Sequence, residues 1–392
     1  MGDMILLQAL TAGWALIYAD RTCLYPLLAV IAAQLDLSAV QLGTLTSVYF
    51  LLYVLMQIPA GMLGDTYGLR TVLVTMYGLA AVGLLGLGVL GTSYGWLLFF
   101  AALHGLGAGA YYPTAYGTLL QVVSPERRGV SSAVIGAGMA VGLLLGLAVS
   151  GPLYEMLGSY RAPFIILSIP TFVMAGILWR ALPNVTGGTQ PAWQDYKKVL
   201  MDKDLLLINV GTLLALYGFW VLITWGPYFL QVERNFSLGQ AGFYTGLTAI
   251  SAVPAGLLWG RLSDRYGRKR LALLVLPAGA LALFVLSQLT EPWAIVAGLI
   301  VFGAFSNSAF GPIMVAWTGD IVAERYAGMM GAAVGVFNSI IMLAAIAAPT
   351  ISGLIRDMTG SLVAALVVGS LAMATGVVFL LFIADSRQGA KG

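Results

Sequence analysis

Charge, cysteine and histidine are all scarce in this chain. Asp, Glu, Lys and Arg make up 9% of its 392 residues, against about 25% in soluble domains. With 60% hydrophobic residues and a mean hydropathy of +0.92, the composition excludes a soluble globular protein and places the chain in a lipid bilayer. The single cysteine, Cys23, excludes an internal disulfide framework and a multi-cysteine metal site. There is no nucleotide-binding loop, no cluster of metal ligands and no nucleophile, histidine and acid set. Neither an enzyme, nor a cofactor, nor a nucleic-acid partner is therefore expected. Apart from short tails, the one extended hydrophilic run is 183–204, which argues against a receptor built around a soluble sensing domain.

What the chain has in abundance is apolar runs. Twelve of them, at 5–32, 40–62, 71–91, 95–122, 130–152, 162–182, 205–230, 238–260, 271–289, 292–317, 329–355 and 361–384, are long enough for a hydrocarbon core about 30 Å thick. The expected fold is an all-α integral membrane protein with twelve transmembrane helices. The first run has no basic leader and no small-residue cleavage site, so it is expected to stay as helix 1 rather than act as a signal peptide. With the N-terminus in the cytoplasm, fifteen of the nineteen Lys/Arg fall in cytoplasmic loops and tails. Three fall outside: Arg161, Arg234 and Arg356. This bias predicts a multi-pass protein of the cell membrane with both termini cytoplasmic. Sorting the acids the same way leaves one acid and one permanent base in the membrane interior, Asp20 and Arg21, adjacent in YADRTCLYP at 18–26. The only histidine, His104, lies in the fourth span.

Two segments repeat. GMLGDTYGLRTVL at 61–73 follows the second span and GRLSDRYGRKRLAL at 260–273 follows the eighth, 199 residues on; SPERRG at 124–129 is echoed by AERYAG at 323–328 at the same offset. A duplicated six-helix unit follows: an N-terminal bundle over 1–182, a cytoplasmic linker over 183–204 and a C-terminal bundle over 205–392, two pseudo-symmetric halves. Gly61, Gly68, Gly260 and Gly267 are expected to permit tight turns and close helix approach. Asp65 with Arg70, and Asp264 with Arg268, are expected to form gate contacts made in one conformation and broken in another.

On these motifs the chain resembles the major facilitator superfamily over essentially its whole length. The resemblance implies two halves that alternate access to a site near the bilayer midplane. The first motif copy departs from the family pattern at Thr66 and Leu69, where basic residues are usual.

A charge at the centre of a membrane helix costs about 2.5–3.5 kcal/mol on insertion scales, so such residues usually face a cavity and carry function. At about 100° per residue Asp20 and Arg21 cannot point the same way. Arg21 is expected to face the central cavity as a fixed receptor for a carboxylate or phosphate, and Asp20 to face neighbouring helices and exchange a proton. The plainer alternative is a polar clamp that only holds helix 1 in place.

Y-x-D-R-x-x-L in the first span, with Thr224, Trp225, Pro227, Tyr228 and Leu230 in the seventh, resembles the anion:cation symporter branch of the superfamily. The resemblance implies that Arg21 engages a substrate carboxylate and that Asp20 serves proton coupling. The fourth span departs from that branch, with Ala101 and Ala108 where relatives carry an arginine and an acid. His104, one turn from both, is the remaining candidate proton carrier. Tyr18, Tyr25, Tyr112, Tyr217, Trp220, Asn307 and Asn338 are further candidates for substrate contact, with packing and interhelical hydrogen bonding as their alternative roles. Small residues crowd 136–152 and 328–349, which favours close and movable helix contacts.

The expected activity is proton-coupled symport of a small organic anion, a carboxylate by preference, with the proton as coupling ion, the bilayer as surroundings and a monomer as the working form. Two transport alternatives stand beside it: proton-coupled efflux of drugs or metabolites, and uncoupled facilitation or exchange of an organic anion. Efflux of cations leaves Arg21 unexplained, because a fixed arginine repels them.

Overall fold

In hydrocarbon every backbone N–H and C=O must be hydrogen-bonded within the protein, and an α-helix meets that requirement inside a single segment. The computed structural model describes residues 2–186, 193–326 and 329–383, and every regular element among them is an α-helix. In chain order these are α1 (Gly2–Thr22), α2 (Leu24–Leu35), α3 (Ala39–Tyr67), α4 (Leu69–Val89), α5 (Tyr94–Gly109), α6 (Tyr111–Val122), α7 (Pro125–Leu157) and α8 (Ala162–Ala181). Then come α9 (Trp193–Met201), α10 (Lys203–Arg234), α11 (Leu238–Tyr266), α12 (Arg268–Gln288), α13 (Pro292–Phe305), α14 (Asn307–Arg325), α15 (Met330–Thr359) and α16 (Leu362–Leu381).

These helices form twelve spans, because three spans are interrupted and α9 lies in the polar stretch between apolar runs. Pro26 lacks the N–H that would bond the Thr22 carbonyl. The helix therefore breaks at Cys23, yet that residue keeps φ −63° and ψ −21°, and Met4–Leu35 crosses as one span. Pro113 breaks α5 from α6 in the same way at Ala110 (φ −74°, ψ −18°). Among the described residues eleven segments are long and apolar enough to cross a membrane. The twelfth is α5 with α6, neither of which is long enough alone. Between α13 and α14, Ser306 is extended (ψ −179°) and its hydroxyl donates to the Gly303 carbonyl at 2.9 Å.

The duplication reaches the backbone. Asp36 (φ 52°) and Asn235 (φ 59°), 199 residues apart, are the two described non-glycine residues with left-handed φ. Ser38 and Gln41 cap α3 reciprocally, at 2.9 and 3.3 Å; Ser237 and Gln240 do the same for α11, at 3.1 and 3.2 Å. This capping box, a Ser with Gln three residues on before an apolar run, was present in the sequence. Gly68 (φ 91°) and Gly267 (φ 98°) make the turns that end α3 and α11, in a backbone region L side chains rarely adopt. Gly61 and Gly260, expected to help turn the chain, instead lie inside α3 and α11, because both helices run on past the apolar stretch to Tyr67 and Tyr266. Of the second repeated landmark, Ala327 and Gly328 lie outside the described residues.

The chain forms two compact units, Met1–Gln190 with Gly226–Gly246, and Pro191–Trp225 with Leu247–Gly392. In the first, α1 lies along α7 and α8, and α5 along α3 and α4. Every fourth residue of α7, at Gly138, Gly142 and Gly146, faces a backbone carbonyl of α1, at Thr11, Ala15 and Ala19, with no room for a Cβ. The small residues of this helix thus bring two backbones together. In the second unit, α12 packs on α13 and α16. Asp202 caps α10 there, accepting from Leu205 N–H at 2.9 Å, Arg325 at 3.0 Å and Tyr326 at 2.9 Å, and Arg325 also reaches Asp204 at 2.6 Å. Burial opposes ionisation of Asp202, but these donors outweigh it and hold the carboxyl below its ordinary value.

Candidate substrate and proton site

Asp20 and Arg21 occupy the last turn of α1, just before the break that Pro26 imposes. Both are buried, at 2% and 4% exposure. The angle of about 100° between them sends them to different neighbours. Asp20 faces α8, where Thr171 Oγ1 lies 2.8 Å from Asp20 Oδ2 and 2.9 Å from the Leu167 carbonyl. A threonine hydroxyl has one proton, so it serves either the carboxylate or the carbonyl. With Asp20 protonated, the acid donates to Thr171 and Thr171 donates to Leu167. The same three groups thus accommodate both charge states by one hydroxyl rotation.

Arg21 turns to aromatic rings of α1 and α3. Its guanidinium carbon lies 3.8 Å from the Tyr18 ring centroid, 4.9 Å from Phe50 and 5.8 Å from Tyr49. A planar, weakly hydrated cation suits such a box, which offsets part of its desolvation.

His104 is 2% exposed on α5, and its Nδ1 lies 2.9 Å from the Ala80 carbonyl of α4. Helices α4 and α5 cross closely here: a Cβ on Gly83 would sit 2.5 Å from the His104 backbone nitrogen. The His104 ring also lies 5.2 Å from the Tyr49 ring. Asp20, Arg21, Tyr25, Thr46, Tyr49 and His104 line one cavity of about 20 Å³, closed by Leu24, Leu87 and Ala101. The structure therefore gathers the two charges and the histidine, 83 residues on in sequence, around a space the size of a single water. Ala101 leaves that space where a larger side chain would fill it.

A second cavity, of about 840 Å³, runs along α1 and α7 past Leu7, Thr11, Ala15, Arg127, Ser131 and Gly138. Its walls are mainly apolar, and on α1 it stops at Leu16, one turn before Asp20. Arg21, expected to face an open cavity, is instead enclosed by rings, because stacking and burial satisfy the planar cation better than an apolar groove does.

The remaining candidates divide. Tyr18 and Tyr25 join the site. Tyr112 is half-buried, pairs with Tyr116 at 4.5 Å and lies 6.3 Å from the Trp14 ring, outside the residues that line the small cavity. Tyr217 and Trp220 are buried on α10, and Asn338 is half-buried on α15, all in the second unit. The Asn307 side chain lies outside the described residues. Trp225, noted in sequence for its family pattern, donates from Nε1 to the Pro349 carbonyl at 3.0 Å and holds α10 to α15. Of the gate residues, Arg268 pairs with Asp264 and reaches Asp320 at 3.2 Å and Ser263 at 2.6 Å. Arg70 instead donates to the Leu182 carbonyl at 3.3 Å and stacks on Trp179. Sequence reasoning missed Thr46 and Thr171 and gave Tyr49 no special place. Polar residues inside apolar spans were the available signal, but only packing says which of them meet Asp20 and His104.

The model of the Major Facilitator Superfamily matches residues 10–330 and 208–392. The chain belongs to that superfamily. It is thus a multi-pass membrane transporter and not an enzyme. It is 25% identical over 414 residues to the Bacillus subtilis protein named "Probable galactarate/D-glucarate transporter GudP", covering 95% of this chain and 90% of that one. To the hexuronate transporter of the same organism it is 24% identical over 395 residues, covering 93% and 91%. A bacterial homologue of the human lysosomal transporter Spinster, solved inward-facing and unoccupied, shares the fold with a TM-score of 0.77 at 19% identity, over 97% of this chain and 95% of that one.

Proposed function

We propose that this transporter takes up a small organic anion bearing a carboxylate, together with a proton, across the cell membrane. The observation that carries the reading is the pair Asp20 and Arg21: a permanent cation and a titratable acid, both buried, in one turn of α1. Arg21 keeps its charge at any physiological pH and its planar fork matches a carboxylate in two parallel hydrogen bonds. Leaving its ring box to meet the substrate exchanges stacking for a charge-assisted contact. Asp20 carries the coupled proton, with Thr171 able to serve it in either state. Sugar-acid transporters among the relatives favour a hydroxylated carboxylate. In this reading the halves 1–182 and 205–392 alternate access, the two repeated loops act as gates, both termini are cytoplasmic and the monomer is the working unit.

The test is uptake into proteoliposomes with and without an inward proton gradient, using D-glucarate and a panel of other carboxylates. Wild-type protein is expected to concentrate a carboxylate only with the gradient. Asp20→Asn is expected to retain counterflow but lose gradient-driven accumulation, and Arg21→Ala to lose both. Full transport by both variants would sink the reading. Gradient-independent uptake by wild type would leave an anion facilitator in its place.

A further inference from the structure

The water-sized cavity beside Asp20 and Arg21 has a chemistry of its own. Four buried polar atoms of its lining residues have no hydrogen-bond partner among the described residues: Asp20 Oδ1, Thr46 Oγ1, the Tyr49 hydroxyl and His104 Nε2. Their residues come from three helices, α1, α3 and α5, and are each less than 5% exposed. A buried polar atom left unsatisfied gives up its hydrogen bonds to water for nothing in return, so four around one space point to an occupant.

The donors and acceptors define it. The Ala80 carbonyl can only accept, so His104 Nδ1 carries the ring proton, and in the neutral imidazole Nε2 presents a lone pair. With Asp20 as carboxylate, Oδ1 is a second acceptor, while Thr46 and Tyr49 each have a hydroxyl proton to give. Two acceptors and two donors are the complement of one water molecule, and a cavity of about 20 Å³ holds about one. A small cation is the poorer occupant, because Arg21 lines the same space with a permanent positive charge.

We infer that this cavity binds a single water, held by the Thr46 and Tyr49 hydroxyls of α3, that links Asp20 to His104, so that the proton held at Asp20 is shared with His104 on α5. The proton balance is closed. With the acid proton on Oδ1 and Thr171 donating to Oδ2, the Asp20 Oδ1–H bond breaks as an O–H bond forms on the water, and a second water O–H bond breaks as an N–H bond forms at His104 Nε2. Carboxylic acid and imidazole become carboxylate and imidazolium, and the net charge of the cavity is unchanged. The other titratable or charged groups facing this pair are Arg21 and Tyr25 in the cavity wall, Cys23 on the α1 break and Tyr77 on α4, while α8 presents the neutral Thr171. Arg21 cannot release its proton. His104 is the base that Asp20 can reach through one water.

This inference rests on the reading of Asp20 as the proton-exchanging group, but its test needs no substrate. Infrared difference spectra of the purified full-length protein are recorded against pH for wild type, His104→Gln, His104→Asn and Thr46→Val, and Asp20→Asn identifies the protonated Asp20 carboxyl band. His104→Asn keeps a donor for Ala80 and loses the group facing the cavity, whereas His104→Gln does the reverse, and neither side chain titrates. Melting curves confirm that each variant folds. The midpoint of the Asp20 band is expected to move by at least about one pH unit in both histidine variants. A water band sensitive to oxygen-18 is expected to be lost in Thr46→Val. An unmoved midpoint in both histidine variants, no titrating Asp20 band at all, or a band displaced by sodium in place of water overturns the inference. Proton-independent uptake by wild type, with the spectroscopic coupling intact, instead defeats the symport reading and leaves the water site standing.

Discussion

Replacing Arg21 with lysine keeps the charge and removes the plane. The guanidinium lies 3.8 Å over the Tyr18 ring and 4.9 Å from Phe50 at 4% exposure, a desolvated cation–π contact worth about 2 kcal/mol. A lysine ammonium can sit over one ring but cannot lie flat, so that contact is partly kept. Toward a carboxylate the difference is larger. One of two parallel charge-assisted hydrogen bonds is lost, at about 1.5–3 kcal/mol, and each 1.4 kcal/mol is about tenfold in affinity. Arg21→Lys is therefore expected to raise the KM for carboxylate counterflow by about 10–100-fold, and Arg21→Ala by about 100–10,000-fold as both bonds go. Counterflow in proteoliposomes measures this without a proton gradient, so it isolates binding from coupling, and a melting curve checks the fold. Counterflow at the wild-type KM with lysine would show that Arg21 does not hold the carboxylate through two bonds. Loss of activity in both variants together with their cooperative melt would instead make Arg21 a structural clamp.

Three other outcomes follow from the geometry. Thr171→Val removes the hydroxyl between Asp20 and Leu167 and is expected to slow gradient-driven uptake more than counterflow, with Thr171→Ser restoring it; equal loss in both assays would contradict the two-state hydroxyl. Gly105→Ala places a Cβ against the Tyr49 carbonyl, where α3 and α5 touch. It is expected to destabilise the protein by about 1–3 kcal/mol in detergent melts, as overpacking does, and a neutral effect would show that these helices can separate freely. Asp202 is held below its ordinary carboxylate value in the folded protein, so its contribution is present above the unfolded value of 3.8 and is lost as pH falls through the folded one. The melting difference between wild type and Asp202→Asn is expected to be full near neutral pH and to shrink below about pH 4; a difference that grows on acidification would refute the assignment.

The sequence alone was enough for the membrane class, the twelve spans, the duplication and the prominence of Asp20 and Arg21. These depend on composition, span length and the cost of charge in lipid, all of which act residue by residue along the chain. Even the capping boxes at Ser38 and Ser237, and the glycine turns at Gly68 and Gly267, have local causes and could be read locally. Tertiary structure alone decided that Asp20 meets Thr171, that Arg21 stacks on Tyr18 and Phe50, and that His104 shares a cavity with both charges. Those contacts depend on helix rotation and crossing. They are set by whole faces of small residues such as Gly138, Gly142 and Gly146 on α7, and Gly83 and Gly105 beside His104. In a chain apolar on nearly every face, hydrophobic periodicity cannot say which way a helix turns. The close backbone approach that glycine permits does, and it appears only when two helices are placed together.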